Sequence, residues 1–216
     1  MTACDHNAQT RHGYDVVAND YATLIPGLSA ETTLDIAMID DFAERCLKAQ
    51  LGPVADVGCG PGRISAHLAL QGLDVLGLDL SPRMVDVARR THPHLRFDVA
   101  TMEDLNIPDA TLGGLLAWYS LIHTAPGRLP TVVDEFARAL KPGAWLLTAF
   151  QTGEGQPVER SHAYGHTVTL TNYRHAPQQL IAMLHAGGFD VHTQLQRSAE
   201  GAETTPQTVL LARRRH

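Results

Sequence analysis

The sequence predicts an α/β fold, a mostly parallel sheet with helices on both faces, from three features. Short apolar runs alternate with segments of helical period, a glycine-rich turn joins the first such run to a helix, and the strand–helix unit then repeats. The 216 residues suffice for one domain with a substantial core, and 44% hydrophobic with 19% charged residues is an ordinary globular composition. We therefore expect a single domain over residues 1–216, with an N-terminal cap over 1–30 and an irregular connection over 151–175 suited to substrate binding.

Taken in order, residues 1–13 are polar and read as loose chain. From Thr32 to Gln50 the positions Leu34, Met38, Ile39, Phe42 and Cys46 recur at helical spacing. Val54 to Val57 is a short apolar run of the kind that forms a doubly buried parallel strand, and the helix carrying Ile64 and Leu68 follows, closed by Gly72. Val75 to Leu80 is the second strand. Ser81 caps the next helix, Pro82 takes its first position, and Met84, Val85 and Ala88 face inward. Leu95–Val99, Leu115–Tyr119 and Trp145–Phe150 read as strands three to five, with a helix from Pro130 before the fifth. Beyond a helix over Pro177–His185, Asp190–Gln196 and Gln207–Ala212 read as an antiparallel hairpin at the sheet edge. Residues 151–174 fit neither period.

Composition excludes several functions. No apolar run approaches the roughly 18 to 20 residues of a membrane span, and the N-terminus lacks the pattern of a secretory signal, which points to the cytoplasm. The net charge of −6, with Arg213, Arg214 and Arg215 as the only dense basic run, argues against nucleic acid as a partner. Three widely spaced cysteines, Cys4, Cys46 and Cys59, suit neither a disulfide framework nor a structural zinc cluster. We expect no metal site, a small-molecule partner, and a monomer or homodimer.

The strongest chemical signal is Asp56-Val57-Gly58-Cys59-Gly60-Pro61-Gly62 between strand and helix. Glycines there let a ligand approach the main chain, and the following helix offers free N–H groups. A dinucleotide fingerprint needs a small residue where Arg63 stands, which disfavours a nicotinamide-dependent oxidoreductase. Asp79 ends the second strand about 20 residues further on, where a carboxylate accepts hydrogen bonds from both hydroxyls of an adenosine ribose.

With Gly77-Leu78-Asp79-Leu80-Ser81-Pro82-Arg83-Met84 and Leu140-Lys141-Pro142-Gly143, that turn resembles the motifs of class I S-adenosylmethionine-dependent methyltransferases of the small-molecule type over about residues 14–212. The resemblance implies a Rossmann-like, seven-stranded sheet whose last strand is inserted antiparallel. It implies methyl transfer from S-adenosylmethionine, with Asp56, Gly58, Cys59, Gly60 and Arg63 around the methionine part and Asp79, Leu80 and Met84 near the ribose. Met102 and Glu103 would lie along the adenine, Ala117 would complete the floor, and Tyr14 and Tyr21 would close over the methionine carboxylate. Thr101, Gly113 and Gly114 depart from the acidic residues frequent in relatives at those places.

For chemistry, a displacement at an activated methyl needs orientation first and a base only if the acceptor must lose a proton. His123, after strand four, is the candidate base, or else it caps its loop and packs on Trp118. Tyr119 stands beside it as a catalytic candidate or a core aromatic. Trp118, His162, Tyr164 and His166 are candidates for the acceptor pocket. A non-catalytic protein that binds the same cofactor on the same fold is the alternative.

Overall fold

The computed structural model describes residues 3–216; the side chains of residues 1–5, Cys4 among them, lie outside the description. The chain begins with α1 (Ala3–Leu24) and α2 (Thr33–Ala49), then alternates β1 (Val54–Val57), α3 (Arg63–Leu70), β2 (Val75–Asp79), α4 (Pro82–Thr91) and β3 (Arg96–Val99). After β4 (Leu112–Trp118) come α5 (Leu129–Ala139), β5 (Leu140–Gln151), the pair β6 (Pro157–Ala163) and β7 (His166–Tyr173), α6 (Pro177–Ala186), β8 (Phe189–Arg197) and β9 (Gln207–Arg214).

Seven strands form one sheet in the order β3-β2-β1-β4-β5-β9-β8. The first five run parallel, and β9 enters antiparallel between β5 and the edge strand β8, so β8 and β9 are the expected hairpin. In β4 the alternation of a strand is visible in its partners. Leu115 and Ala117 join the core under α5 and α6, with Val133, Phe136 and Leu184, while Leu116 and Trp118 join the core under α2 and α3, with Phe42 and Leu68. At about 25 cal/mol per Å² of apolar surface removed from water, these two layers supply most of the driving force for folding.

Local signals place the helices as the sequence suggests. Thr32 and Asp35 form a reciprocal capping box at α2, and the Ser81 hydroxyl accepts from the Met84 amide at α4 with Pro82 in the first turn. Strand β4 starts three residues earlier than the apolar run indicates. Gly113 and Gly114 belong to it, because a Cβ on Gly113 would lie 2.7 Å from the Gly52 backbone and one on Gly114 2.6 Å from Cys46 Sγ.

Two readings of the sequence are overturned. Residues 3–13 are not loose chain but the first half of α1. The buried positions His6, Thr10, Gly13 and Val17 do recur at helical spacing, but the first three are polar or small, so no apolar stripe announces this half of the helix. The segment after β5 is not irregular either: β6 and β7 form a two-stranded antiparallel ribbon. Its turn is Tyr164 and Gly165, at φ 51° and 84°, and β6 is too exposed to show apolar alternation. Among the described residues no helix is long and apolar enough to cross a membrane.

Candidate active site

At the carboxyl ends of β1, β2 and β4 the chain leaves a cavity of about 940 Å³, its open mouth included. Ligands of open α/β sheets bind at this edge, where strand order reverses. The floor is the glycine turn. Gly58 sits at φ 78° with its amide and that of Cys59 both donating to the Leu78 carbonyl, at 2.7 and 3.0 Å. A Cβ on Gly58 would come within 2.3 Å of Ser120 Cβ, whereas one on Gly60 would meet nothing among the described residues within 4 Å. The Gly60 backbone is therefore bare for a ligand to lie against.

Asp79 ties this turn to α4. One carboxylate oxygen accepts from the Gly60 amide and the other from the Ser81 amide, each at 2.8 Å. Burial pushes its pKa up to about 6, against the pull of those two hydrogen bonds. Leu80, Met84, Met102 and Glu103 line the same cavity.

Asp56, Cys59 and Ala117 do not line it. Asp56 is 1% exposed and accepts from the Ser65 hydroxyl at 2.6 Å, so it joins β1 to α3 beneath the turn; burial pushes its pKa to about 6. The Cys59 thiol packs with Phe97 and Val85, and burial pushes it well above the usual thiol range, which keeps it protonated. Ala117 is enclosed in the core under α5.

The other walls come from β4, the loop after it and α1. Trp118, Tyr119, Ser120, His123, Thr124 and Arg128 face Asn7, Thr10, Tyr14 and Tyr21. Tyr119 holds the left-handed conformation at φ 52°, and its hydroxyl has no partner among the described residues. For a bulky side chain that backbone is strained, a feature that gathers at functional sites. His123 Nε2 lies 2.7 Å from the Tyr14 hydroxyl and Nδ1 lies 3.2 Å from the Thr171 carbonyl, while His6 donates to the His123 carbonyl at 2.6 Å. Burial lowers the His123 pKa to about 4.

The two arginines in the walls are each matched by a carboxylate. Arg63 meets Glu31 at 2.6 Å and the Gly27 carbonyl at 3.1 Å, and Trp118 Nε1 donates to the other Glu31 oxygen at 3.3 Å. Arg128 grips Glu103 through two nitrogens and donates to Asn7 at 3.2 Å. Such two-point pairing is directional and strong. Sequence reasoning did not find Glu31, Arg128, Asn7 or Thr10. Their roles depend on α1 and on contacts spanning 25 to 121 residues, for which the sequence holds no local signal.

His162, Tyr164 and His166 stand away from the cavity and face other partners. The Tyr164 ring packs 4.7 Å from that of Tyr21, His166 pairs with Asp20 at 2.7 Å, and His162 bonds Ser161 and Thr167 on the ribbon itself.

A family model described as a methyltransferase domain matches residues 54–143, the stretch from β1 through the start of β5. An uncharacterised methyltransferase of Mycobacterium bovis is 31% identical over 174 residues, covering 69% of this chain and 70% of that protein. The chain belongs to the class I S-adenosylmethionine-dependent methyltransferases. This methyltransferase is also 31% identical, over 149 residues, to the biotin biosynthesis bifunctional protein of Cellvibrio japonicus, covering 68% of the chain but 26% of that longer protein. In structure it resembles a Burkholderia thailandensis 1,6-didemethyltoxoflavin N1-methyltransferase at TM-score 0.72 and 19% identity, over 100% of this chain and 92% of that one, which shows the shared fold. S-adenosylmethionine is the family's methyl donor, and the bare Gly60 backbone with a buried carboxylate beside it fits a ligand of that shape.

Proposed function

We propose that this methyltransferase acts in the cytoplasm on a small, uncharged acceptor, with the glycine turn and Asp79 holding the cofactor. The matched wall charges carry this reading. Arg63 is neutralised by Glu31 and Arg128 by Glu103, so among the described residues these two arginines offer an anionic acceptor no unpaired cation to meet. Burying a charged group without a partner costs several kcal/mol, and a neutral acceptor avoids that cost. A nucleic-acid acceptor is further opposed by the net charge of −6.

When bound, the cofactor supplies an activated methyl on a sulfonium. Backbone at Gly58 and Gly60 would hold its amino-acid end with Tyr21 and Arg63 above, and Asp79 would accept from the ribose hydroxyls. Leu80, Met84, Met102 and Glu103 would bound the adenosine. Trp118 and Tyr119 would orient the acceptor, and His123 would be the final holder of a proton leaving it. Orientation of this kind is worth about 7 to 11 kcal/mol of the barrier in favourable cases. The test incubates the protein with S-adenosylmethionine and a panel of phenols, alcohols, amines, carboxylates and phosphates, and measures S-adenosylhomocysteine. Formation with neutral members is expected. Turnover confined to anionic members would contradict the acceptor class, and cofactor binding without turnover on any member would favour a non-catalytic binding protein.

A further inference from the structure

Resting on that methyl-transfer reading, the geometry points to Tyr14 and His123 as a proton relay in which the Tyr14 hydroxyl, not the imidazole, meets the acceptor, and the acceptor it suits is a neutral alcohol or phenol.

The polarity of the pair follows from an atom that has no choice. The Thr171 carbonyl, 3.2 Å from Nδ1, only accepts, so Nδ1 carries the ring proton and Nε2 keeps its lone pair. Tyr14, 2.7 Å from Nε2, therefore donates. Both ring nitrogens are then engaged, one by β7 and one by α1, so although the ring borders the cavity its Nε2 lone pair is taken up by Tyr14. Tyr14 lines the cavity, and its oxygen retains lone pairs while it donates to His123. Its one proton is committed to His123, so it has none to give a cofactor carboxylate, the part its position in the sequence suggested; Tyr21 is left for that.

The chemistry of the acceptor follows from how weak this base is. Groups facing His123 are Tyr14 and His6 from α1, Arg160 from β6 and the Thr171 carbonyl from β7. Desolvation comes first, against the pull of the Thr171 carbonyl, and the charge of Arg160 adds to it, so the ring is neutral at physiological pH and readily takes a proton from an acid stronger than its own conjugate form. A hydroxyl oxygen that has bonded to the methyl while keeping its hydrogen is such an acid, an oxonium. An amine would end as an ammonium, which holds its proton against this base. As the O–C bond forms and the C–S bond breaks, the electron pair stays on sulfur as a neutral thioether. The hydroxyl proton passes to Tyr14 Oη while the Tyr14 proton passes to His123 Nε2. The positive charge lost from sulfur is thus regained on the imidazole, where the Thr171 carbonyl faces it, and the ring returns its proton to water when product leaves.

The test compares wild type, Tyr14→Phe, His123→Gln and the double variant. Calorimetry with S-adenosylhomocysteine should give affinities within about threefold of one another, and nitrogen-15 NMR of the wild-type complex at pH 7 should show His123 as the neutral Nδ1–H tautomer. Turnover of phenol and alcohol acceptors should fall at least about a hundredfold in each single variant at unchanged KM for the cofactor, with the double variant no worse. An Nε2–H tautomer would overturn the relay, as would tenfold weaker S-adenosylhomocysteine binding by Tyr14→Phe with kcat intact, or turnover confined to amines. Methyl transfer itself would survive those results; failure of the wild type to bind S-adenosylhomocysteine would instead remove the reading beneath the relay.

Discussion

Asp79 shows how much one residue concentrates. Its carboxylate fixes the glycine turn through Gly60 and the start of α4 through Ser81 before any ligand arrives. Burial pushes its pKa up to about 6 in the free protein, and on the proposed reading ribose hydroxyls would donate to the ionised form. Cofactor binding therefore lowers that pKa, so affinity is full above about pH 6 and falls, by up to about tenfold per unit, as pH drops below it. Calorimetry at pH 7.5 and 5 checks this, and Asp79→Ala should remove the pH dependence together with at least about a hundredfold of affinity, the worth of two hydrogen bonds to a charged group. Equal affinity at both pH values would count against the assignment. Asp56 shares the raised pKa but faces no ligand, so its titration touches stability alone. Its folded pKa lies above the usual carboxylate value, so the cost of burying its charge grows as pH rises through about 4 to 6 and is complete above.

At the scale of elements, the sheet and its flanking helices were legible because each carries its own signal: the apolar run of β1, the cap and proline at α4, the apolar stripe of α5. Helix α1 and the β6–β7 ribbon were not, since their burial is mutual. Val17 and Ala18 of α1 pack with Val168 and Leu170 of β7, and a Cβ on Gly13 would lie 2.5 Å from Leu170. Neither has a core-facing pattern until the other is in place. The same gap explains the site. The cofactor turn could be read from spacing, and Trp118, Tyr119 and His123 from their place at the end of strand four, while Asn7 and Thr10 of α1 could not. Docking of α1 depends on Asp15, which accepts from the Ser81 hydroxyl at 2.6 Å and the Arg83 amide at 3.2 Å at the positive end of α4. Asp15→Ala should cost about 1 to 2 kcal/mol of local stability and speed hydrogen exchange in α1 roughly tenfold. Unchanged protection there would show that α1 is held by its apolar face alone.

Over the whole molecule, a buried ion network joins the far edge of the sheet to the start of α2. Arg197, whose side chain is 6% exposed, pairs with Asp35 at 2.9 Å and with Glu203 at 2.6 Å. Asp35 also completes the α2 capping box, so Arg197→Ala would strand a buried carboxylate beside a helix start. A loss of about 3 to 5 kcal/mol is expected, or about 6 to 20 °C in Tm for a chain of this size, measured by thermal melting; a shift under about 2 °C would mean the network is dispensable. The account as a whole depends on where the cofactor lies, and a crystal structure with S-adenosylhomocysteine tests that most directly. It should show both ribose hydroxyls within hydrogen-bond distance of Asp79 and the amino-acid end against the Gly58–Gly60 backbone. The ligand elsewhere, or Asp79 turned from it, would contradict the account.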